Sequence, residues 1–282
     1  MISSAALHRL AAQASVRVQL QERDYVLGWF LLGLAATTHL REAMVFKGGT
    51  ALRKMYFPTY RFSEDLDFTL TQPLGQDLLR TAVEDVCQLV QRLSGLRMWV
   101  ALWKQTRDVE GEEAFRARLA YVGPLGRLGA DPPRITLDLT RYEIIVLPAA
   151  PRAVVHPYAD APEAPGLVPT YPLEEMLAEK LRSMLCRCYS RDIFDVWHLL
   201  RYQSQRLDLE RLSRSLRHKC EFKGYVYSSA EDFLVRARTP GAHAAWDASL
   251  GHLMSSAPAF DSVLAELEFL LPQWLGRDRH GG

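Results

Sequence analysis

The sequence predicts an α/β (α+β) chain: a small mixed sheet with flanking helices, followed by a mainly helical C-terminal part. Three observations carry this. Between Val45 and Leu70 an apolar run enters a Gly-Gly pair, and the chain then returns as an alternating strand; three more strand-like runs lie between Leu96 and Thr140; helical periodicity dominates from Leu173 to Trp274. Seven of the fifteen prolines fall from Pro148 to Pro172. So many missing N–H donors argue against regular structure, which places a linker at 151–172 between a first domain over 1–150 and a helical domain over 173–282.

Residues 4–44 read as helices, with Tyr25, Leu27, Trp29, Phe30, Leu31, Leu32 and Leu34 at helical intervals, expected to pack over the back of the sheet. Val45 and Phe46 then lead through Gly48-Gly49 into Thr50-Ala51-Leu52-Arg53-Lys54, a strand, turn and short helix. In the strand that follows, Ser63, Asp65, Asp67 and Thr69 share one face; Glu64, Leu66, Phe68 and Leu70 take the other, the core side. Gln76 to Leu93 forms an amphipathic helix. The strand runs Leu96 to Thr106, Ala114 to Val122 and Arg134 to Thr140 come next. In the last of them Ile135, Leu137 and Leu139 oppose Arg134, Thr136, Asp138 and Thr140.

Asp65 and Asp67 carry the first chemical signal. Two carboxylates roughly 5 Å apart repel by about 3 kcal/mol at an effective dielectric near 20. A hard divalent cation with oxygen ligands relieves that, and magnesium shares its shell with substrate phosphates. An Asp-x-Asp pair alone fits a solvated strand face as well as a metal site. The glycine turn tips the balance, because a strand entering Gly-Gly and then a helix aims backbone N–H groups at an anion such as a phosphate.

The C-terminal part holds a lysine in an unusual place. On the helix from Leu173 to Tyr189, Lys180 falls inside the stripe of Leu173, Met176, Leu177, Leu181, Met184 and Leu185, with Glu175, Glu179 and Arg182 opposite. Such a lysine either snorkels outward or points at a compensating anion. On the following helix Ile193, Phe194, Val196, Trp197 and Leu200 take one side, leaving Arg191, Asp195 and His198 on the other, with Asp192 read as a helix start paired with an Arg191–Asp195 contact. From Arg201 to Lys223 seven Lys or Arg meet three acids. Arg211, Arg214 and Arg217, three apart, either grip a phosphate backbone or form a solvated face.

Composition sets the outer bounds. With 48% apolar and 24% charged residues the 282-residue chain is an ordinary globular protein. Its longest apolar run, Val26 to Ala36, is too short to span a membrane, and no signal peptide opens the chain, so a cytoplasmic location without membrane partners is expected. Cys87, Cys186, Cys188 and Cys220 lack metal-site spacing and read as reduced structural thiols, with Cys186 and Cys188 on one helix. A net charge of +1 confines any nucleic-acid footprint to local patches.

Lys47-Gly48-Gly49-Thr50-Ala51-Leu52 followed by Arg61-Phe62-Ser63-Glu64-Asp65-Leu66-Asp67 resembles the signature of the AbiEii, AbiGii and MenT type toxins, a branch of the polymerase-beta-like nucleotidyltransferase superfamily. Glu179-Lys180-Leu181 and Arg191-Asp192 through Asp195 match two later motifs of the same family. The resemblance implies a nucleotidyltransferase-like fold whose helical domain completes the site. It implies a nucleoside triphosphate held by Gly48, Gly49, Thr50 and Ser63, with Lys47 and Arg61 beside them and Lys180 reaching the triphosphate. It also implies two magnesium ions on Asp65, Asp67 and a third carboxylate from a later strand, which would deprotonate the attacking hydroxyl. Alternation makes Asp138 the candidate for that third place but supplies only its direction. Asp192 gains an expected role in activity, with Asp195 and Arg191 carried beside it.

The family further implies an RNA acceptor, commonly the 3′ end of tRNA, and a toxin paired with an antitoxin, with a part in phage defence. Two alternatives stand beside it: the same chemistry on a protein or small molecule, and an inactive nucleotide-binding interaction module.

Overall fold

The computed structural model describes residues 1–107 and 113–275. Three helices open it: α1 (Ser4–Gln13), α2 (Val18–Ala36) and the short α3 (Thr38–Arg41). Then follow β1 (Met44–Lys47), the one-turn α4 (Gly48–Ala51) running into a π-helical turn over Leu52–Tyr56, β2 (Asp65–Leu70) and α5 (Gln76–Ser94). Strands β3 (Arg97–Arg107), β4 (Glu113–Val122), β5 (Arg134–Thr140), β6 (Ala150–Ala153) and β7 (Leu167–Thr170) complete the strand set. The helices α6 (Leu173–Cys186), α7 (Ser190–Tyr202), α8 (Leu209–Phe222), α9 (Glu231–Leu234), α10 (Pro240–Leu250) and α11 (Phe260–Leu275) end the described chain. No helix of the described residues is long and apolar enough to cross a membrane.

Two compact units divide these elements: Met1–Tyr142 with Ala149–Tyr171, and Glu143–Pro148 with Pro172–Gly282. The first holds one mixed seven-stranded sheet in the order β3-β4-β5-β2-β1-β7-β6. β2 lies between β1, antiparallel to it, and β5, parallel to it. Leu66 and Phe68 are fully buried beneath β2, as the alternation requires. Helix α2 is buried on nearly every side, its polar Gln21, Glu22 and Asp24 included, so it is not a one-faced cover.

The stretch from Pro148 to Pro172 is not free of regular structure. It carries β6 and β7, an antiparallel pair in which Pro151 and Pro169 are register partners, so both missing donors fall on a single rung. β6 is an edge strand, where a proline costs least.

In the second unit Leu177, Met184, Ile193, Val196, Leu199, Leu212 and Leu216 are wholly buried. The polar side of α6, expected to face solvent, is buried too. Glu175 and Arg182 lie inside, because α8 brings Lys219, itself fully buried, to within 3.0 Å of Glu175, 3.4 Å of Glu143 and 3.5 Å of Glu179. Arg182 meets Glu143 at 2.7 Å, and Glu175 accepts the N–H groups of Val146 and Leu147. Lys219 therefore does not belong to the solvated basic face of α8; Arg214 and Arg217 are exposed and Arg211 half-buried. Helix α6 ends at Cys186, and Cys188 lies past it at a φ of 49°, so the two cysteines do not share the helix. All four cysteines are free thiols.

Candidate active site

The glycine turn is built against β2. Gly48 takes a φ of +81°, a backbone state that favours glycine, and a Cβ placed there would meet Oδ2 of Asp67 at 2.4 Å. A Cβ on Gly49 would meet the Arg61 guanidinium at 2.7 Å and the Ser63 hydroxyl at 3.2 Å. The two glycines thus let the turn close over Asp67, Arg61 and Ser63 at once. Arg61 and Ser63 are both buried, and Arg61 also donates to the Phe62 carbonyl. Thr50, expected to hold phosphate, has its hydroxyl committed elsewhere: it is buried and donates to the backbone carbonyl of Asp65, tying the turn to β2.

Sheet register lines up a row of charge. Lys47 of β1 is the register partner of Asp67, Asp67 of Asp138, Asp138 of Arg116, and Arg116 of Lys104. Register partners share a face. Asp65 and Asp67 lie on this face of β2, and Asp138, the candidate for the third carboxylate that the resemblance implies, stands on the adjacent strand. The row places Lys47, buried, on one side of the acids and Arg116 on the other. Asp138 already has a partner: Arg116 grips it with two bonds, Nε to Oδ1 at 2.6 Å and Nη2 to Oδ2 at 3.1 Å. That bond, with the field of Asp65 and Asp67, raises the Arg116 pKa further above its usual value.

These acids suit a divalent cation chemically, since all three offer hard carboxylate oxygens on one sheet face. As placed, no three acidic, histidine or cysteine groups among the described residues converge on one point that would seat a metal. Asp65, Asp67 and Asp138 are the residues that would hold such an ion.

A buried anchor supports the turn from behind. Asp24 of α2, 1% exposed, accepts from Arg53 at 2.8 Å, Lys54 at 2.7 Å and the Tyr158 hydroxyl at 2.7 Å. Burial pushes the Asp24 carboxyl up, but the charges of Lys54 and Arg53 outweigh it and hold the group well below the usual carboxylate range. Periodicity carries no sign of this anchor, because an acid inside an apolar helix looks like an interruption of its stripe.

In the second unit the later motifs converge on each other. Lys180 reaches Asp192 at 2.7 Å and Asp195 at 3.0 Å, and Arg187 reaches Asp192 at 3.4 Å. Lys180 points at compensating anions rather than snorkelling. Asp192 is not the start of its helix; Tyr189 takes the N-cap place, without a side-chain cap bond. Asp195 is not on a solvent side either. It is fully buried and meets Lys180, which explains its three-residue spacing from Asp192: both acids turn toward the same cation. Arg191 stays half-buried.

Comparison with known proteins bears on the fold and the family. The chain is similar over 97% of its length to 99% of MenT4, a nucleotidyltransferase toxin from Mycobacterium tuberculosis, at 21% identity and a TM-score of 0.59, which speaks to the fold alone. A comparison with curated proteins found no match. The family described as nucleotidyl transferase AbiEii toxin of type IV toxin–antitoxin systems matches residues 29–266, most of the chain. With the glycine turn set on paired strand carboxylates, the chain belongs to the AbiEii toxin family and is a nucleotidyltransferase.

Proposed function

We propose that this nucleotidyltransferase moves a nucleoside monophosphate from a nucleoside triphosphate to a hydroxyl of an RNA acceptor, the 3′ end of tRNA foremost, in a magnesium-dependent reaction. The observation that carries this reading is the close approach of the Gly48 turn to Asp67, which sets the backbone N–H groups of the turn beside the acidic face of β2. The acceptor oxygen forms a bond to the α-phosphorus, the bond to the bridging oxygen breaks, and pyrophosphate leaves with that electron pair. Magnesium, when bound, neutralises charge on the phosphates and lowers the pKa of the hydroxyl.

The residues have distinct tasks in this scheme. Backbone N–H groups at Gly48 and Gly49, the Ser63 hydroxyl and the Arg61 guanidinium hold the β- and γ-phosphates, with Lys47 adding positive charge beside Asp67. Asp138 receives the proton of the attacking hydroxyl. The Lys180, Asp192 and Asp195 group of the second unit is a further requirement for transfer, on the motif it occupies. Arg211, Arg214 and Arg217 offer a basic face for the RNA backbone. A partner antitoxin follows from the family, and a role in phage defence belongs to the same proposal.

The test incubates the pure protein with labelled nucleoside triphosphates, magnesium and total tRNA, and repeats it with Asp67→Asn. Label on RNA that requires magnesium and vanishes in the variant is the expected result. Label found on the protein itself, or none on RNA, removes the RNA acceptor; equal labelling by the variant removes the carboxylate site.

A further inference from the structure

A cavity of about 490 Å³ in the second unit lies beside the Lys180 group and is not part of it. It opens between the start of α7 and one side of α10. Arg187, Arg191 and Arg236 line it, and among the described residues that do so there is no carboxylate. Arg187 reaches Asp192 outside the lining at 3.4 Å, and Arg236 donates to the Leu185 carbonyl, so the two guanidiniums are held in place. The first turn of α7, beginning at Ser190 in the wall, has no side-chain bond from its N-cap residue, and the acid in that turn, Asp192, is outside the lining and paired with Lys180 and Arg187. At the rim stands Tyr189, 56% exposed, with the Arg187 guanidinium 5.0 Å from its ring centroid.

Three cations and a helix start with no lining acid select an anion. Guanidinium forks fit phosphate oxygens, and an exposed aromatic ring next to them is the platform on which an unpaired base stacks. A duplex keeps its bases stacked inside and offers none to such a ring. We propose that this cavity seats one nucleotide of a single-stranded RNA, its phosphate on Arg187, Arg191 and Arg236 and its base on Tyr189. The inference rests on the reading that the acceptor is RNA, and it locates a hold on that acceptor apart from the sheet face.

The experiment measures binding, without transfer. Fluorescence anisotropy follows a short labelled single-stranded RNA against the full chain over a series of salt concentrations, for the wild type, Tyr189→Ala and Arg236→Gln; a second titration uses a nucleoside triphosphate alone. Tyr189→Ala should weaken RNA binding about tenfold. Arg236→Gln should lower the slope of log K against log salt by about 0.7. Triphosphate affinity should stay unchanged in both. Because Tyr189 is exposed, its variant carries the test if Arg236→Gln lowers the melting temperature.

Wild-type RNA binding retained in Tyr189→Ala overturns the proposal, as does an absence of RNA binding by the wild type. Loss of triphosphate affinity with RNA affinity intact overturns it in favour of a nucleotide site. A chain that labels RNA while Tyr189→Ala binds normally fails the cavity alone, whereas one that binds RNA through Tyr189 but labels none fails the transfer reading alone.

Discussion

Gly48 and Asp67 occupy adjoining space: a single methyl group on the glycine would stand 2.4 Å from the carboxylate oxygen, closer than unbonded atoms approach. Turn and carboxylate are therefore one unit. Gly48→Ala must both hold a φ of +81°, at about 1–2 kcal/mol for an L-residue, and push Asp67 aside. A displacement of about 1 Å at a reacting centre is enough for a hundredfold loss of rate. Nucleotide transfer should fall about that much while the melting temperature drops only a few degrees, as followed by label transfer and calorimetry. Full activity in Gly48→Ala would show that the turn and Asp67 act separately.

Lys180 stands between two acids that solvent barely reaches, at 3% exposure for Asp192 and none for Asp195. Lys180→Met removes the cation that both acids share, leaving Asp192 with Arg187 at 3.4 Å, and breaking a buried pair by removing one partner costs about 3–5 kcal/mol. Neutralising the acids as well, in Lys180→Met with Asp192→Asn and Asp195→Asn, should restore much of that stability in urea unfolding. Transfer should remain absent in the stable triple variant if the group serves activity. A triple variant as unstable as Lys180→Met would mean that the loss arises from packing and not from unbalanced charge.

What was legible in the sequence was whatever a local period encodes. The alternation around Asp65 and Asp67 put both acids on one face of β2, and the alternation in β5 gave Asp138 its direction. Periodicity cannot report register between strands distant in sequence, so the row from Lys47 through Asp67, Asp138 and Arg116 to Lys104 was invisible, and with it the partner of Asp138. The same limit misled the reading of α6 and α7. Glu175, Arg182 and Asp195 look like solvent positions when only apolar stripes are counted, yet each is buried because another element brings an opposite charge. Prolines misled for a related reason: their missing donors forbid regular structure only where the ladder needs them, and β6 and β7 pair Pro151 with Pro169.

Arg116 holds Asp138 with two bonds, so it competes with any cation for that carboxylate. The Arg116 side chain is 49% exposed, and pairs of this kind contribute no more than about 1 kcal/mol after screening. Removing the competitor should therefore tighten divalent binding by about two- to fivefold. Manganese titrations of Arg116→Gln followed by electron paramagnetic resonance read this directly, without turnover. Asp138→Asn should abolish the difference. Weaker manganese binding in Arg116→Gln would show that the arginine orients Asp138 for the ion instead of opposing it.

His156 supplies a pH signature for the first unit. It is buried among Tyr25, Trp29 and Tyr158, and neither ring nitrogen has a hydrogen-bond partner among the described residues. Burial, reinforced by the charge of Lys54 and opposed by Asp160 and Asp24, pushes its pKa down to about 3. A chain that unfolds regains an ordinary histidine near 6.5 and takes up a proton there, so the unfolded state binds more protons throughout the window between those values. Stability should be level above about pH 6.5 and fall below it by up to about 1.4 kcal/mol per pH unit. Asp24 has the opposite chemistry and the same sign. Its contribution is present above its ordinary carboxylate value and is lost only below about pH 4. Between pH 6.5 and about 4.5 His156 therefore contributes a slope that Asp24 does not. Urea unfolding of His156→Phe, which keeps a ring against its three aromatic neighbours, should show that slope flattened, and an unchanged slope in the variant would take the effect away from His156.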